Sequence, residues 1–243
     1  MLEPASLHQK TKNIINIKSD IDLWPETWRK TIYKEYPRFS TITLPHGDYS
    51  ADLFQTIKKR TSKFLYNSKP LTLNDVGMLL EYAYGNTESY IGKYGERYHR
   101  AVASPGALYS IEIYLVIVTG SEDLPSGIYH YRIREHVLEI MSHTFDRDEF
   151  IKKCMIEMPG ILMAPAFLFC TGDFNRISHK YGMRGYRYVL LEAGEVLQNI
   201  NLVAEAIHIK ARTYGGTNDE NVEALLDIDG VTESLIQTIA LGK

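Results

Sequence analysis

Apolar runs alternate with stretches at helical spacing, so the chain is predicted to interleave strands and helices. Near-continuous apolar runs occur at 111–119 and 161–172, and such runs are typical of strands buried inside a sheet. Pro165 lies in the second run, so that strand begins or bulges there. The remaining pattern predicts helices over 52–59, 71–85, 146–158, 184–209 and 218–228, a hairpin from 126–133 and 136–143, a short strand over 211–216, and a strand or short helix over 232–243. We therefore expect an α+β or three-layer domain.

Two stretches lack a clean period. Residues 1–50 alternate aromatic residues with lysines and prolines, which predicts an irregular arm or short hairpin that wraps another surface. We divide the chain there into an arm (1–50) and a domain (51–243). Residues 86–107 are rich in Gly, Tyr, Arg and Ser, and this composition predicts a loop.

The helix predicted over 184–209 is more polar than a core helix needs to be. Glu192, Glu195, Gln198 and Asn199 interrupt its apolar face. Buried polar groups require hydrogen-bond partners. The helix is therefore predicted to line a polar cofactor or a subunit interface.

Composition narrows the class of protein. The 243 residues carry a net charge of −3, which argues against a protein that grips a nucleic-acid backbone. Cys154 and Cys170 lie in apolar surroundings without a CxxC pair, which predicts buried thiols in a reducing cytosol and excludes a structural zinc site built on cysteines. The sequence contains no signal-peptide pattern and no run of 18 apolar residues, so we expect a cytoplasmic protein with no membrane span.

Three short clusters have the residues of a cofactor site. Arg60, Thr61, Ser62 and Lys63 place two cations and two hydroxyls together, which suits a phosphate; a solvated basic turn has the same composition. Residues 104–107 (SPGA) are small enough to let backbone approach a flat ring, but they also suit an ordinary turn into a strand. Gly215 and Gly216 can present backbone N–H groups to a ligand, or form a flexible turn.

Lys180 and Tyr181 form a candidate proton-transfer pair, predicted to lie on a loop before the long helix. A lysine acts as a base near neutral pH when burial or a neighbouring cation lowers its pKa. Arg184 and Arg187 are close enough in sequence to be that cation. Two solvated residues beside a helix remain the alternative.

Other catalytic patterns are missing from the sequence. It contains neither GxGxxG after a strand nor GxxxxGK[ST], so neither a Rossmann dinucleotide site nor a P-loop is indicated. GxSxG and HExxH are also absent, and hydrolase chemistry therefore lacks support.

Several motifs occur together and in a recognisable order. They are RTSK (60–63), RAVASPGALYSIEIY (100–114), GIYHY (127–131), KYGMRGYRY (180–188), and GG (215–216) before LLDIDGVTE (225–233). In this order they resemble the SagB-type dehydrogenases, a branch of the FMN-dependent nitroreductase superfamily, over nearly the whole chain. Two departures stand out: Pro105 follows Ser104, where the family has P-S-A-G, and Lys63 replaces a second arginine if Ser62 rather than Thr61 is the hydroxyl partner.

The resemblance implies a nitroreductase-like fold, with a central, mostly antiparallel sheet flanked by helices, in an intertwined homodimer with FMN at the subunit interface. It implies that Lys180 and Tyr181 are the catalytic pair, with Lys180 as the base and Tyr181 orienting the ring or relaying the proton. It implies no metal. The residues that it assigns to FMN are Arg60, Thr61, Ser62, Lys63, Arg100, Ser104, Pro105, Gly106, Gln198, Gly215 and Gly216.

The resemblance also implies an activity and partners. Family members oxidise thiazoline or oxazoline rings of ribosomally made peptides to thiazole or oxazole, with reduced FMN reoxidised by dioxygen. They work beside a cyclodehydratase made of YcaO and E1-like components, on a modified precursor peptide. Three alternatives stay open: an NAD(P)H-dependent nitroreductase-type enzyme, an inactive flavin-bound scaffold subunit of a peptide-modifying complex, and a dehydrogenase acting on other substrates.

Overall fold

The computed structural model describes residues 4–12, 23–92, 95–156, 158 and 160–243. Its central sheet has the strand order β1-β6-β5-β4-β7-β9-β8, and every neighbouring pair is antiparallel. The sheet strands are β1 (Thr41–Thr43), β4 (Ile111–Ile117), β5 (Gly127–Arg132), β6 (Val137–Ser142), β7 (Ala166–Asp173), β8 (Lys210–Tyr214) and β9 (Glu233–Gly242), while β2 (Asn86–Gly92) and β3 (Gly95–Arg100) form a separate hairpin. The described helices are α1 (Pro4–Lys10), α2 (Leu53–Lys59), α3 (Leu73–Tyr84), α4 (Arg147–Cys154), α5 (Phe174–Tyr181), α6 (Gly185–Ala206) and α7 (Asp219–Leu225).

An apolar layer lies on each face of the sheet, which confirms the predicted α+β fold with helices flanking an antiparallel sheet. All seven residues of β4 are buried, and alternate side chains of a strand point to opposite faces. Ile113 packs in the cluster that contains Val196 of α6. Tyr114 packs in the cluster that contains Phe150 of α4 and Val222 of α7. Burial on both faces explains why β4 is a continuous apolar run in the sequence.

Side-chain caps begin most of the predicted helices. Thr72 and Asp75 form a capping box at the start of α3, and Asp146 accepts from the backbone of Asp148 and Glu149 at the start of α4. Such caps satisfy backbone N–H groups that have no partner inside the helix. The helix predicted over 146–158 ends earlier, at Cys154, because Met155 is extended and forms a bridge with Thr217.

Two expectations about strands need correction or refinement. The loop predicted over 86–107 is wrong over most of its length, because β2 and β3 occupy 86–92 and 95–100. The β2–β3 hairpin is largely exposed and lacks an apolar face, so no period-2 signal marks it. Pro165 lies just before β7, and the tail folds as the strand β9.

Part of the predicted arm belongs to the sheet. Thr41–Thr43 pairs with β6 as the edge strand β1. Lys34 reaches Glu233 of β9 with an Nζ–Oε2 distance of 2.5 Å. Residues 1–3 and 13–22 of the predicted arm lie outside the described residues. Over the described chain, every helix is too short or too polar to cross a membrane.

Candidate active site

Lys180 and Tyr181 lie in the last turn of α5, so the prediction of a loop there is wrong. Asp173 caps this helix by accepting from the backbone N–H of Arg176 at 3.0 Å. Arg176 lies one turn before Lys180 on the same helix face. Its guanidinium donates to the carbonyl of Tyr109 and to Glu112, both at 2.6 Å. Lys180 is thus carried by a helix that is fastened to the central sheet.

Lys180 is only 5% exposed. Three groups enclose its ammonium. Its Nζ lies 4.1 Å from the ring centroid of Trp24 and donates to the carbonyl of Trp28 at 3.4 Å. Gly106 closes the third side with φ of +68°. A Cβ at position 106 would lie 2.7 Å from Nζ and 2.9 Å from the hydroxyl of Tyr181, so only glycine fits there. The structure therefore brings Gly106 and the Lys180–Tyr181 pair together in one site.

Burial lowers the pKa of Lys180, and the positive charge of Arg97 lowers it further. The cation that acts on Lys180 is Arg97, so the source of charge predicted from the sequence, Arg184 or Arg187, is wrong. Arg184 donates to the carbonyl of Lys12 at 2.8 Å, and Arg187 donates to Thr11 at 2.7 Å. Both arginines therefore hold the N-terminal helix against α6.

The pKa of Tyr181 is shifted in the opposite direction to that of Lys180. Burial raises the pKa of its phenol, and Tyr188 raises it further. The two rings meet edge to face with centroids 5.0 Å apart. Tyr181 therefore keeps its proton near neutral pH, and it is suited to donate a hydrogen bond or to orient a ring.

The polar positions of α6 serve the loop that carries Gly106. Ser104 donates to Glu192 at 2.7 Å, and the backbone N–H of Ala103 donates to Glu195 at 3.0 Å. Asn199 donates to the carbonyl of Ala101 at 2.9 Å. Three of the four polar residues that interrupt the apolar face thus hold the loop over 101–110 within the chain. That Ser104 contacts FMN remains a prediction, because its hydroxyl is bound to Glu192.

Arg100 is buried behind this loop. Its guanidinium carbon lies 4.5, 4.9 and 5.3 Å from the ring centroids of Tyr109, Tyr84 and Tyr33. Two of its nitrogens, Nε and Nη1, have no hydrogen-bond partner among the described residues. Its assignment to FMN also remains a prediction.

The residues predicted to bind phosphate form a second group, beside β8. Arg60 ends α2, and the backbone N–H of Lys63 lies 3.5 Å from the carbonyl of Ala211. The side chains of Arg60, Thr61, Ser62 and Lys63 form no hydrogen bond with any other described residue. Thr61 and Ser62 are exposed, so their hydroxyls are accessible to a ligand.

Arg212 joins this group, although no motif in the sequence marks it as a site residue. Its guanidinium lies 3.6 Å from the ring centroid of Phe64. Its Nε is buried without a hydrogen-bond partner among the described residues. The only signal was a lone cation inside a short predicted strand, which is too common to indicate a site.

Gly215, Gly216 and Gln198, which are also predicted to bind the cofactor, lie near strand β8. Gly215 is open, with Gln237 as the nearest group to its missing side chain at 4.0 Å, while Gly216 lies against Tyr214 with no room for a side chain. Gln198 is exposed on α6, one turn before Asn201, which donates to Thr213 of β8 at 3.2 Å.

The two groups are anchored at opposite ends of strand β7. The backbone of Lys63 contacts Ala211 of β8. Ala211 and Ala166 of β7 both pair with Leu241 of β9, so the three residues lie in one row across the sheet. The helix that carries Lys180 begins after Asp173, seven residues along β7, or about 23 Å at roughly 3.3 Å per residue. Residues assigned to one cofactor thus form two clusters, around Lys180 and around Arg60.

His46, Glu81 and His136 form the group of potential metal ligands found among the described residues. His46 Nδ1 lies 2.7 Å from Glu81, and Tyr131 bonds to His136 at 2.8 Å. The two imidazole rings stack with centroids 4.7 Å apart and an angle of 27°. Nearly parallel rings do not direct their in-plane lone pairs at one point, so we assign this group a structural role.

Comparison with known proteins places the fold in a family. Residues 57–243 match the Nitroreductase family. The chain belongs to the nitroreductase family. Membership of this family supports a flavin oxidoreductase.

Three curated proteins are similar to this chain in sequence. MJ1384 of Methanocaldococcus jannaschii, named as a nitroreductase, is 32% identical over 173 residues, which cover 70% of this chain and 81% of that protein. The trifolitoxin-processing protein TfxB of Rhizobium leguminosarum is 27% identical, covering 70% of this chain and 47% of that protein. The microcin B17-processing protein McbC of Escherichia coli is 32% identical, covering 54% and 49%. The matched region thus spans about half the length of each processing protein.

Solved structures share the nitroreductase fold. A structure from Anabaena variabilis, named as a nitroreductase, is 26% identical with a TM-score of 0.74, covering 98% of this chain and 45% of that one. A chain of the E. coli microcin synthetase McbBCD complex, with truncated pro-MccB17 bound, is 21% identical with a TM-score of 0.62, covering 97% and 86%. At this identity the second likeness concerns the fold alone.

Proposed function

We propose that the protein is an FMN-dependent dehydrogenase that oxidises thiazoline or oxazoline rings of a ribosomally made peptide to thiazole or oxazole. The observation that carries this proposal is the buried Lys180, which has a lowered pKa and lies against Gly106 and Tyr181. Hydride transfer to a nitro group needs no base, whereas oxidation of an azoline requires removal of a proton. Similarity to proteins that process trifolitoxin and microcin B17 supports a peptide substrate.

The cluster around Arg60 fits the phosphate of FMN. Arg60 and Lys63 supply charge, Thr61 and Ser62 supply hydroxyl donors, and the buried Nε of Arg212 lacks an acceptor among the described residues. Arginine forks and hydroxyls are common phosphate ligands. The open backbone at Gly215, on the same strand edge, suits the flavin ring. A protein with the same fold was solved in complex with FMN, which supports this choice of flavin.

A homodimer would bring the two clusters together. Large apolar side chains beside the Arg60 cluster are exposed, including Phe54 at 75%, Leu65 at 75% and Leu53 at 58%. An exposed apolar patch of this kind marks an interaction surface. In the proposed dimer, the Arg60 cluster of one subunit and the Lys180 cluster of the other flank the same FMN.

Lys180 is assigned the proton transfer. The Cα–H of an azoline is acidic, because a carbonyl and the ring imine flank it. The neutral amine of Lys180 takes this proton as the neighbouring ring carbon gives up a hydride, and the new C=C bond makes the ring aromatic. FMN, if bound, would supply the hydride acceptor for this oxidation, with dioxygen as the terminal oxidant. Tyr181, which keeps its proton, orients the ring from the same helix turn.

Trp24 marks the place of the substrate ring. Its indole lies 4.1 Å from Lys180 Nζ and stabilises the ammonium through a cation–π contact. If a flat azoline ring took the place of the indole, Lys180 Nζ would contact the acidic C–H bond of the azoline instead of the ring of Trp24. We therefore propose that the substrate ring displaces Trp24, which leaves Lys180 free to act as a base.

Partners follow from the proposed substrate. A precursor peptide must first be cyclised, so a YcaO and E1-like cyclodehydratase is the proposed partner. The fold is shared with a chain of a microcin synthetase complex that binds its precursor, which supports such an assembly.

The test compares two variants on a cyclised peptide. Lys180→Ala is expected to retain FMN and to lose azoline oxidation by about 10²–10⁴-fold, the usual contribution of a general base. Arg60→Ala is expected to weaken FMN binding by about tenfold or more, through loss of a charge-assisted contact. Mass spectrometry measures the loss of 2 Da per ring, and absorbance measures bound flavin.

The outcomes separate the two assignments. Full oxidation of the azolines by Lys180→Ala would refute the assignment of Lys180 as the base. If NADPH also bleached the flavin rapidly under anaerobic conditions, the results would favour a nitroreductase. A fully yellow Arg60→Ala protein would refute the phosphate assignment alone.

A further inference from the structure

A basic cavity of about 300 Å3 lies outside both clusters. Three parts of the chain form it: residues 29–33, strand β3 and the turn between β5 and β6. Four of its lining side chains are cationic, Arg29, Lys30, Arg97 and Arg134, and one is anionic, Glu96. The lining therefore carries a net charge of +3 at neutral pH. Like charges facing one cavity repel each other, so this arrangement favours a bound anion.

Three of the cavity's cations, Lys30, Arg97 and Arg134, have little compensation from the carboxylates that the structure describes. Neither Arg97 nor Arg134 forms an ion pair with a carboxylate among the described residues. Lys30 is paired only loosely, 3.6 Å from the exposed Glu26. The Nε of Arg97 is buried and has no hydrogen-bond partner in the described part of the chain. A buried donor without a partner indicates an acceptor supplied from outside the chain.

Two arginines flank the ring of Tyr33 at the wall of the cavity. The guanidinium carbons of Arg100 and Arg134 lie 5.3 and 5.8 Å from its ring centroid, one being buried and the other exposed. The anion would thus face charge from the lining and from the buried Arg100 behind it. Focusing of this kind strengthens anion binding.

The cavity opens beside the candidate base. Arg97 donates to the carbonyl of Ala107 at 3.0 Å, and the preceding residue, Gly106, touches Lys180. On the other side, Arg29 directly follows Trp28, whose carbonyl accepts from Lys180. Arg29 thus adjoins Trp28 directly, and Ala107 alone separates Arg97 from Gly106.

We propose that this cavity binds an oxyanion, a carboxylate or a phosphate, carried by the molecule on which the enzyme acts, and so positions that molecule beside Lys180. Guanidinium groups bind the oxygens of both anions in the same bidentate way. The two sources are a carboxylate of the substrate peptide and a phosphate of a nucleotide co-substrate. The proposal rests on the cavity alone and holds whether or not azolines are oxidised.

Fluorescence of the two tryptophans supplies a direct test. The chain has only Trp24 and Trp28, with ring centroids 6.2 Å apart, and Trp28 precedes Arg29 of the lining. The probes are inorganic phosphate, adenosine 2′,5′-bisphosphate, acetyl-Gly-Asp-Gly-amide and its Asn counterpart, added to the purified holoprotein. We expect a saturable fluorescence change with at least one anionic probe, none with the Asn peptide, and weaker binding as NaCl is added.

Substitutions identify the site. Arg134→Gln should weaken binding by about tenfold, the effect of losing one charge-assisted contact. Arg38→Gln, which removes an exposed arginine outside the cavity, should leave the affinity for the anion unchanged. Lys30→Gln is a second variant should Arg134→Gln misfold by circular dichroism.

Either source of the anion supports the proposal. Tighter binding of the Asp peptide than of phosphate identifies a substrate carboxylate, and the reverse order identifies a nucleotide. The proposal is overturned if no anionic probe gives a saturable change, or if a folded Arg134→Gln or Lys30→Gln protein binds as tightly as the parent. These outcomes are independent of whether Lys180→Ala oxidises azolines.

Discussion

Lys180 experiences opposing influences within a few ångströms. Burial and Arg97 lower its pKa, whereas the indole of Trp24 and the carbonyl of Trp28 stabilise the charged amine. Arg97 lies on strand β3. The other two groups belong to the segment over 24–28, which also contributes to the burial of the amine. A ligand that displaces this segment and itself covers the amine therefore makes the amine easier to deprotonate.

The pH dependence of the reaction follows from the direction of this shift. A base works in its neutral form, so kcat/KM rises as pH rises through the pKa of Lys180, below the range of an ordinary lysine. In Arg97→Gln the charge is lost, the pKa rises, and the rising limb should move to higher pH. Arg184→Gln removes a cation that binds Lys12 instead, and its limb should stay where it is. Profiles that coincide for the parent and Arg97→Gln would contradict the assignment.

At the level of single residues, the sequence identified chemistry but not contacts. Lys180, Tyr181 and Gly106 stood out through motifs, and a hydroxyl-rich basic segment stood out at Arg60. That Gly106 touches Lys180 depends on how β4 and α5 pack, which no local pattern specifies. Arg97 escaped notice for the same reason, because an arginine in an exposed hairpin has no distinctive neighbours in sequence.

Helix α5 is held by a buried chain of charges. Arg176 bonds to Glu112, whose other oxygen lies 3.3 Å from His130 Nε2, and His130 Nδ1 lies 2.8 Å from Glu139. Burial alone would raise the pKa of Glu112, but Arg176 and His130 hold that pKa at about 2. Since the pKa is below that of an unfolded glutamate, this contribution to stability is complete above about pH 4.5. It is lost progressively as pH falls toward 2.

Removing the cation from this chain should be costly. Arg176→Met leaves Glu112 with one partner in an apolar interior, and it should lower the free energy of unfolding by about 3–5 kcal/mol. Urea unfolding at pH 7 measures the difference. Arg147→Met removes an arginine at the start of α4 that, among the described residues, forms an ion pair only with the exposed Asp148, and it should change stability by less than about 0.5 kcal/mol. Equal losses in the two variants would show that α5 does not depend on this anchor.

Elements were predictable where burial imposes a period. The two-sided burial of β4 and β7 gave apolar runs, and the cap residues of α3 and α4 marked helix starts. The β2–β3 hairpin was missed because its backbone pairing leaves no apolar stripe. The end of the helix predicted over 146–158 was misplaced, because the bridge from Met155 to Thr217 joins segments 62 residues apart.

At the scale of the molecule, residues before the matched family region complete the core. Lys34 pairs with Glu233, and the backbone N–H of Tyr36 donates to Glu139 at 2.8 Å. Glu139 is fully buried and Glu233 is 9% exposed. Edge strand β1 also covers β6. The sequence suggested an arm here, because contacts between a segment with no period and the sheet leave no local signature.

A shortened protein tests this dependence. A chain of residues 57–243 lacks β1, Lys34 and Tyr36, so two buried carboxylates lose partners, and we expect a loss of at least about 3 kcal/mol in the free energy of unfolding. A chain of residues 23–243 keeps these contacts and is the matched control. Urea midpoints compare the two. If both chains unfold at the same midpoint, the contacts of Lys34 and Tyr36 are not needed for stability.

If the leading segment of a relative replaced residues 1–56, it would have to supply different groups to Glu139 and to Glu233. Any amino acid except proline carries the N–H that Glu139 receives from position 36. Glu233 instead receives a side-chain ammonium from Lys34, which only a lysine at the right depth can replace. Chimeras that join residues 57–243 to the leading segment of a relative should therefore tolerate almost any exchange at position 36. They should require compensation at position 34, and replacing Glu233 by glutamine should remove that requirement.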